Sequence, residues 1–413
     1  MRTKPVIAII GAGASGYFAA IRLGELLGRN SVHIFEKGAQ VLSKVKVSGG
    51  GRCNVTHYCY DPRELVKFYP RGNKELLGPF YKFGPANTID WFAQHNVRLN
   101  TEEDGRMFPS TNSSQTIIDT FITAAEKYEV ALHLRKGLVD FAEESGKWRL
   151  HFSDQTDFIC DAVYFAPGSS QSLWNLLASK GIDIVPPVPS LFTFNIQDKA
   201  LRELSGLSVE MVQASIVTGK LKTTGPLLFT HWGVSGPAIL KLSAFGARLL
   251  NERNYNFEIT INFLPEASSL AEMLQVIRKK NHRKQTGSHS PFSEIPKRLW
   301  HYLLLRTGID EQQNWADISN QKLEKLQHHL SSCPFIVGGK STFKDEFVTS
   351  GGVSLKEVNF SDYSSKKLPG IFWGGEFLDV DALTGGFNFQ HAWTSAYIAA
   401  EGIAAYTQKT KGA

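Results

Sequence analysis

The sequence predicts an α/β fold with a parallel sheet, interrupted by an antiparallel β segment and a short helical segment. Three observations support this. The chain opens with an apolar run, Val6–Ile10, that leads into a glycine-rich turn and an alanine-rich helical pattern. It closes with another apolar run, Ile371–Trp373, followed by paired glycines. Between these ends, the hydrophobic period changes to that of strands and then to that of helices, so the α/β domain is predicted to be split.

The opening segment carries a dinucleotide-binding fingerprint in its usual context. Glu36 ends the apolar stretch that follows the first helix, about twenty positions after the last glycine of the turn. Such a turn brings a pyrophosphate to backbone N–H groups at the helix N-terminus, and the acidic residue accepts hydrogen bonds from the adenosine ribose. We therefore predict an FAD site of the Rossmann type. The predicted phosphate-binding residues are Gly11, Gly13, Ala14, Ser15 and Gly16.

Composition limits the remaining possibilities. The 413 residues carry a net charge of +6, which suits anionic ligands such as dinucleotides and does not by itself argue for nucleic acid. The densest basic cluster, Arg278–Lys284, is interpreted as a solvated helix end or loop. The four cysteines form no CxxC pair, so we expect neither a disulfide framework nor a metal site. No stretch resembles a signal peptide or a membrane span, and a cytoplasmic protein is expected.

The first part of the chain predicts a loop, then helices, then a β-meander. The polar, glycine-rich stretch Ser48–Thr56 is predicted to be a loop. Helical patterns follow at Pro62–Phe68, Lys74–Tyr81, Ala86–His95 and Ser114–Lys127. Strands are predicted at Ala131–Leu134, Gly137–Glu143, Lys147–Phe152, Phe158–Cys160 and Asp161–Ala166.

The middle of the chain predicts two inserts. Pro186–Pro189 suits a linker, because proline cannot continue a helix. Strands are predicted at Leu191–Ile196, Val209–Val217, Leu227–Phe229 and Phe257–Phe263, a helical region at Ser268–Leu330, and a final helix at Ala392–Tyr406. We therefore predict an FAD-binding domain at 1–186 and 345–413, an antiparallel β domain at 187–264, and a helical domain at 265–344.

These residues resemble the HI0933-like flavoproteins, also called the BaiN-like NAD(P)/FAD-dependent oxidoreductases. The resemblance spans nearly the whole chain and rests on five motifs: Gly11–Gly16, Ser48–Asn54, Gly105–Pro109, Leu228–Pro237, and Gly374–Asp381 with Gly385–Gln390. It implies a Rossmann-type FAD-binding domain of the glutathione-reductase plan, with an inserted β-barrel and a small helical insert. In one place the chain departs from the family: Ala166-Pro167-Gly168 replaces the usual Ala-Thr-Gly-Gly turn, and Pro167 removes a backbone donor.

The resemblance also implies further cofactor contacts. It assigns an acceptor for ribityl or ribose hydroxyls to Glu376 or Asp379, and it places the helix N-terminus after Gly386 where it stabilises the reduced flavin. Arg52 would pair with phosphate or form a surface salt bridge, and His231 is either a proton donor or a structural histidine. The remaining predicted contacts are Lys37, Gly49, Gly50, Gly51, Cys53, Val139, Ala166, Gly168, Gly375, Gly385, Gly386, Phe387 and Asn388.

The thiol of Cys53 is predicted to be buried or held in a loop, without a redox role, since no partner thiol has redox-motif spacing. No catalytic acid or base is assigned from the sequence.

The predicted function is that of an FAD-dependent oxidoreductase with a small-molecule substrate. NAD(P)H is expected to reduce the flavin and an unidentified organic acceptor to reoxidise it. No second GxGxxG is present, so NAD(P)H would dock transiently. Two alternatives stay open: a flavoprotein that acts in RNA modification or on a partner protein, and a flavin-binding remnant with a structural role. Nucleic acid is not the partner we expect, and the sequence leaves the oligomeric state undetermined.

Overall fold

The computed structural model describes residues 4–341 and 348–410, which form two compact units. The first unit contains the described residues up to Val188 and from Val348 onward, and the second begins at Pro189. The predicted boundary between residues 344 and 345 lies outside the described residues. No helix in the described ranges combines the length and apolar character that a membrane span requires.

The first part of the chain alternates strands and helices. Its strands are β1 (Ile7–Ile10), β2 (Val32–Glu36), β3 (Thr56–His57), β4 (Leu99–Thr101), β5 (Arg106–Pro109), β6 (Ala131–Leu134), β7 (Leu138–Glu144), β8 (Lys147–Phe152), β9 (Asp157–Cys160), β10 (Ala162–Phe165) and β11 (Ile184–Ser190). Its helices are α1 (Ala14–Leu27), α2 (Ser43–Gly51), α3 (Pro62–Leu65), α4 (Leu77–Lys82), α5 (Pro85–Gln94), α6 (Ser114–Lys127) and α7 (Gln171–Ser179).

The middle part holds six strands and six helices among its described residues. The strands are β12 (Thr193–Ile196), β13 (Ser208–Ile216), β14 (Leu221–Thr230), β15 (Gly233–Ser235), β16 (Asn256–Asn262) and β17 (Cys333–Ser341). The helices are α8 (Lys199–Arg202), α9 (Pro237–Phe245), α10 (Ala247–Glu252), α11 (Leu270–Lys280), α12 (Lys297–Thr307) and α13 (Asn320–Ser332).

The last part returns to the first unit. It contains β18 (Val348–Val353), β19 (Val358–Asn359), β20 (Ser364–Ser365), β21 (Ile371–Trp373) and the long helix α14 (Phe387–Thr410). A single 3-10 turn, Gly375–Phe377, lies between β21 and α14 in the closing motif.

A seven-stranded sheet forms the centre of the first unit, in the order β19-β20-β21-β10-β1-β2-β6. The strands from β21 to β6 pair in parallel, with Ile7 opposite both Val32 and Ala162. Every residue of β1, β10 and β21 is buried, as expected for parallel strands covered on both faces. Helices α1 and α14 pack together, and Arg22 of α1 pairs with Glu401 of α14. The opening and closing segments therefore belong to one sheet and one helical layer.

The second unit contains a closed barrel, in the order β12-β15-β14-β13-β16-β17. The predicted α/β fold with an inserted β-barrel is thus confirmed. Alternate residues of β16 point inward, because side chains alternate along a strand. Leu299, Trp300 and Leu326 of the helical segment share one hydrophobic core with Phe229 and Ile259 of the barrel. The division into separate barrel and helical domains stays a prediction.

The structure differs from the predicted elements in several places. The segment predicted as a proline linker lies in β11, which pairs with β18, since an extended proline-rich chain can occupy a two-stranded edge. The predicted loop Ser48–Thr56 begins inside α2, although Ser48, Gly49 and Gly50 have non-helical backbone angles. The amphipathic helix Ser114–Lys127 and the strands Ala131–Leu134 and Lys147–Phe152 are confirmed at the predicted residues.

Candidate functional site

The three glycines of the opening turn have different surroundings. A Cβ on Gly11, whose φ is +111°, would overlap the backbone of Ala166, and a Cβ on Gly16 would overlap the carbonyl oxygen of Gly11. A Cβ on Gly13, in contrast, would meet nothing within 4 Å. Gly13 precedes α1, whose N-terminus has no side-chain cap. Two glycines therefore serve close packing, while the third faces open space beside amide groups that favour an anion.

Glu36 ends β2 with its carboxylate fixed next to this turn. One oxygen accepts a hydrogen bond from the Ala12 N–H at 3.0 Å, and the other accepts one from the Gly38 N–H at 2.8 Å. A carboxylate has about four acceptor positions, so capacity remains for hydroxyl donors. Lys37 is exposed, and its Cβ lies 3.6 Å from the position of a Cβ on Gly137. Glu36 thus suits the predicted role as an acceptor for the adenosine ribose.

Val139 lies at an irregularity in the β-meander. The pairing of β7 with β8 shifts between Leu138 and Asp140, so Val139 is the extra residue of a β-bulge. The residue added by a bulge is left out of the ladder pairing, so its backbone groups are available to a ligand. Its side chain is exposed. This geometry supports the predicted contact through the backbone.

The C-terminal end of α2 and the residues just beyond it carry a run of left-handed backbone conformations. Gly49, Gly50 and Gly51 have φ values of +57°, +68° and +84°, and Cys53 has +60°. A Cβ on Gly50 or Gly51 would meet nothing within 4 Å, so these exposed amides can be approached closely. The segment is therefore shaped by its glycines rather than by helix propensity, which explains why its polar, glycine-rich composition predicts a loop.

Arg52 and Cys53 both face the protein. The Arg52 guanidinium pairs with Glu102 at 2.7 Å and lies 3.9 Å above the centre of the Phe108 ring, and its predicted contact with the cofactor stays a prediction. Cys53 is completely buried, and burial raises the pKa of its thiol to about 12. A thiol in this state is protonated at neutral pH and is a poor nucleophile.

The closing motif brings Glu376 to the opening half of the chain. Glu376 forms an ion pair with Lys44 of α2, and one of its oxygens accepts a hydrogen bond from the Thr349 N–H at 3.4 Å. The other oxygen lies 3.8 Å from the position of a Cβ on Gly168. Gly375, with a φ of +61°, donates its N–H to the Ser395 hydroxyl at 2.9 Å. The contacts with Lys44 and Thr349 place the Glu376 side chain beside α2 and β18.

Asp379 is buried, and its N–H donates to the Val353 carbonyl at 3.0 Å. The Asn388 side chain both accepts from the Ala382 N–H and donates to the Ala382 carbonyl, each at 3.0 Å. Phe387 is buried and stacks on Phe68 with ring centres 4.2 Å apart. The side chains of Asn388 and Phe387 thus hold the start of α14 in place, and contacts with a cofactor at this point would come from the backbone.

Gly385 and Gly386, with φ values of +134° and +89°, lead directly into α14. A Cβ on Gly386 would lie 2.5 Å from the carbonyl oxygen of Thr56, so this position requires glycine.

The turn Ala166-Pro167-Gly168, which departs from the family pattern, packs against the opening glycine turn. Ala166 is buried, and a Cβ on Gly11 would lie 2.6 Å from the Cα of Pro167. Pro167 thus belongs to the packing of the glycine turn.

Several residues near Glu376 are absent from the predicted set. Lys44 and Thr349 contact Glu376, and the hydroxyl of the neighbouring Ser350 is buried with no hydrogen-bond partner among the described residues. Tyr164 on β10 is also absent from that set, and its hydroxyl shares a hydrogen bond of 2.6 Å with the hydroxyl of the predicted Ser15. No local motif marks Lys44, Thr349 or Ser350 as site residues. His231 is exposed at the turn between β14 and β15 of the second unit.

The residues fit FAD. A glycine position that opens onto free space precedes a helix without a side-chain cap, and a fixed carboxylate stands beside it. The exposed glycine amides at the end of α2 and the acid of the closing motif belong to the same unit. This combination provides donors for a pyrophosphate and acceptors for sugar hydroxyls. The predicted contact residues themselves stay predictions.

Comparison with known proteins agrees with this interpretation. The family model "HI0933-like protein Rossmann domain" matches residues 5–402. A ribosomal RNA dihydrouridine synthase of Haemophilus influenzae is 30% identical over 408 residues, covering 96% of this chain and 97% of the relative. A 3-dehydro-bile acid delta(4,6)-reductase of Clostridium scindens is 25% identical over 413 residues, covering 96% and 98%.

Among solved structures, the open conformation of a flavocytochrome c3 fumarate reductase has a similar fold, with a TM-score of 0.50 and 12% identity. The match covers 97% of this chain and 78% of that chain. At this identity the likeness concerns the fold alone. The family match extends over nearly the whole chain, and so the protein belongs to the HI0933-like family of flavin-dependent oxidoreductases.

Proposed function

We propose that this protein uses FAD to reduce a carbon–carbon double bond conjugated to a carbonyl group, and that its substrate is a uridine of ribosomal RNA. The similarity to the ribosomal RNA dihydrouridine synthase, over 96% of this chain, carries the proposal. Of the functions that the sequence leaves open, this similarity favours the modification of RNA over the reduction of an unidentified small molecule.

The chemistry implied by the two relatives' names is the same. Dihydrouridine differs from uridine in the saturation of the C5–C6 bond, which is conjugated to the C4 carbonyl. A 3-dehydro compound with 4,6-unsaturation likewise has double bonds conjugated to its 3-oxo group. In both cases reduction would add a hydride to the carbon remote from the carbonyl and a proton from solvent to the neighbouring carbon. Bound FAD would supply this hydride, and a nicotinamide nucleotide would supply the two electrons that restore the cofactor.

The protein's own residues would bind and orient the cofactor. The opening at Gly13 and the amides of α1 would hold the pyrophosphate, while the carboxylate of Glu36 would accept from the adenosine ribose. Glu376, held by Lys44, would accept from the hydroxyls of the ribityl chain. The fully buried Cys53 would stay protonated and take no part in the chemistry.

The test uses ribosomal RNA from a strain that lacks this protein. The FAD-loaded protein is reduced anaerobically with NADH or NADPH, and the RNA is then added. We expect reoxidation of the flavin and the appearance of dihydrouridine, detected by mass spectrometry of RNA digests. A Gly13→Val protein, which should not retain FAD, is the control. Reduced flavin that persists in the presence of RNA, with no dihydrouridine formed, would contradict the proposal.

The second relative favours an alternative substrate of the same chemistry. A small steroid-like enone would be reduced by the same hydride transfer, and the 25% identity to a bile acid reductase over almost the full length supports it. A 3-oxo-4,6-diene steroid added to the reduced protein distinguishes the two. Reoxidation by the steroid and not by RNA would select the small-molecule function.

A further inference from the structure

The charge of this protein is concentrated in the second unit. Residues 189–347 contain 19 lysines and arginines against 14 carboxylates, whereas the rest of the chain contains 26 against 25. Within the second unit, residues 278–325 contain ten lysines and arginines against five carboxylates. Almost the whole net charge of +6 therefore arises in one helical stretch, while the cofactor unit is close to neutral.

In the densest part of this stretch, four basic side chains are exposed and have no carboxylate partner among the described residues. Five of the seven residues from Arg278 to Lys284 are lysine or arginine. We call Lys279, Lys280, Arg283 and Lys284 the basic segment; all four side chains are exposed. Within residues 4–341 and 348–410, none of the four forms an ion pair. Their charges are thus available to an external anion.

The backbone of the basic segment is firmly held. The carbonyl of His282 accepts from the Ala316 N–H at 3.2 Å, and that of Lys284 accepts from the Trp315 N–H at 3.1 Å. The neighbouring Arg278 donates to the Asn320 side chain at 2.8 Å. Trp315 is buried and stacks on Trp300, whose indole N–H donates to the Thr286 carbonyl at 2.8 Å. Buried tryptophans thus anchor a loop whose cationic side chains point to solvent.

Helix stability accounts for only part of this pattern. Lys279 and Lys280 lie in the last turn of α11, where cations interact favourably with the helix dipole. Arg283 and Lys284 lie beyond the end of the helix, where that effect has fallen off. Exposed cations without a carboxylate partner, held on a fixed loop, can neutralise the phosphates of a nucleic acid.

We propose that the basic segment docks the phosphate backbone of the RNA substrate. This inference rests on the proposed function and deepens it by assigning an RNA-contacting surface to the second unit. The aromatic residues below the segment, Trp300 and Trp315, are buried and cannot stack on bases. The contact is therefore electrostatic, contributes affinity without reading sequence, and weakens as salt rises.

The test compares two double variants that change the net charge equally. Arg283→Glu/Lys284→Glu alters the basic segment, whereas Lys127→Glu/Lys409→Glu alters exposed lysines in the last turns of α6 and α14 of the first unit. Binding of FAD-loaded protein to deproteinised ribosomal RNA is measured by fluorescence anisotropy as a function of salt. We expect the first variant to raise Kd at least about tenfold and to reduce the salt slope by about 1.5, while the control keeps the wild-type values.

Two further measurements make the outcomes distinct. Thermal unfolding and FAD content should match wild type in both variants, and Arg283→Gln/Lys284→Gln gives a milder change if charge reversal impairs folding. Equal RNA affinity in all variants, with dihydrouridine still formed by wild type, would overturn the docking surface and leave the proposed function intact. A wild-type protein that neither binds the RNA nor forms dihydrouridine would instead contradict the proposed function. Binding of the segment to anionic phospholipid vesicles, with RNA affinity unchanged by the variants, would also overturn the proposal.

Discussion

Gly375, near the end of the chain, approaches Ser15, near its start, so closely that a Cβ on Gly375 would lie 3.1 Å from the Cβ of Ser15. The two residues are 360 positions apart, and each lies in a segment predicted to contact the cofactor. Ser15 is in turn linked to Tyr164 of β10, and Gly375 to Ser395 of α14. Both predicted parts of the cofactor site therefore meet at the N-terminus of α1, which makes the site testable by single substitutions.

The glycine turn provides the first test. Gly13→Val should abolish FAD binding with the fold retained, because the position has space for a side chain only where the pyrophosphate is expected. Gly16→Val should unfold the protein, since its side chain would overlap the carbonyl of Gly11. Flavin absorbance after gel filtration and thermal unfolding distinguish these results. Full FAD retention by the Gly13 variant would show that the turn does not carry the phosphates.

The closing acid provides the second test. Glu376→Ala should weaken FAD binding by about 1.5–3 kcal/mol, because a charge-assisted hydrogen bond to the cofactor is lost. Glu401→Ala removes a comparable ion-paired carboxylate on α14 that contacts Arg22, and it should leave the affinity unchanged. Isothermal titration with FAD measures both. A wild-type dissociation constant for the Glu376 variant would remove this residue from the site.

The thiol of Cys53 provides the third test. Burial raises its pKa to about 12, so at pH 8 the group is almost entirely the unreactive thiol. We expect Cys53→Ser to keep NAD(P)H-driven flavin reduction within about tenfold, or roughly 1.4 kcal/mol of barrier. In the wild type, iodoacetamide should label the half-buried Cys59 before Cys53. A loss of several orders of magnitude with FAD still bound would make Cys53 part of the chemistry.

The imidazole of His391 predicts a pH dependence of stability. Burial lowers its pKa to about 3, whereas the unfolded chain has the ordinary value near 6.5. Between pH 6.5 and pH 3 the unfolded state therefore binds more protons than the folded state. The contribution of the neutral His391 to the free energy of unfolding is fully present above pH 6.5 and is lost as the pH falls toward 3. The loss is about 2 kcal/mol by pH 5.

The variant His391→Leu should therefore lose less stability than wild type between pH 7 and pH 5 in urea unfolding. His289→Leu, at an exposed position of the second unit, is the matched control and should keep the wild-type pH dependence. Identical pH profiles for wild type and the His391 variant would show that this histidine is not held neutral in the folded protein.

The sequence by itself determined the elements that depend on local pattern. The run Ile7–Ile10 predicts a strand because parallel strands are buried on both faces, and the helix Ser114–Lys127 is evident from its apolar stripe. The spacing from Gly11 to Glu36 predicts that the carboxylate returns to the glycine turn, since a strand, helix and strand of ordinary length bring the two together. These predictions need only neighbours along the chain and the period of each element.

Only the tertiary structure decided the relationships between distant segments. The pairing of Lys44 with Glu376 joins residues from opposite ends of the chain, and no local pattern specifies it. The prolines around Pro187 form a strand because β18 supplies its partner, which outweighs their tendency to end regular structure. The Asn388 side chain holds Ala382, and its predicted contact with the cofactor stays a prediction. The chemistry of a side chain or a backbone group allows several hydrogen-bond partners. In each case the partner it actually has is the group that the folded chain brings within hydrogen-bonding distance.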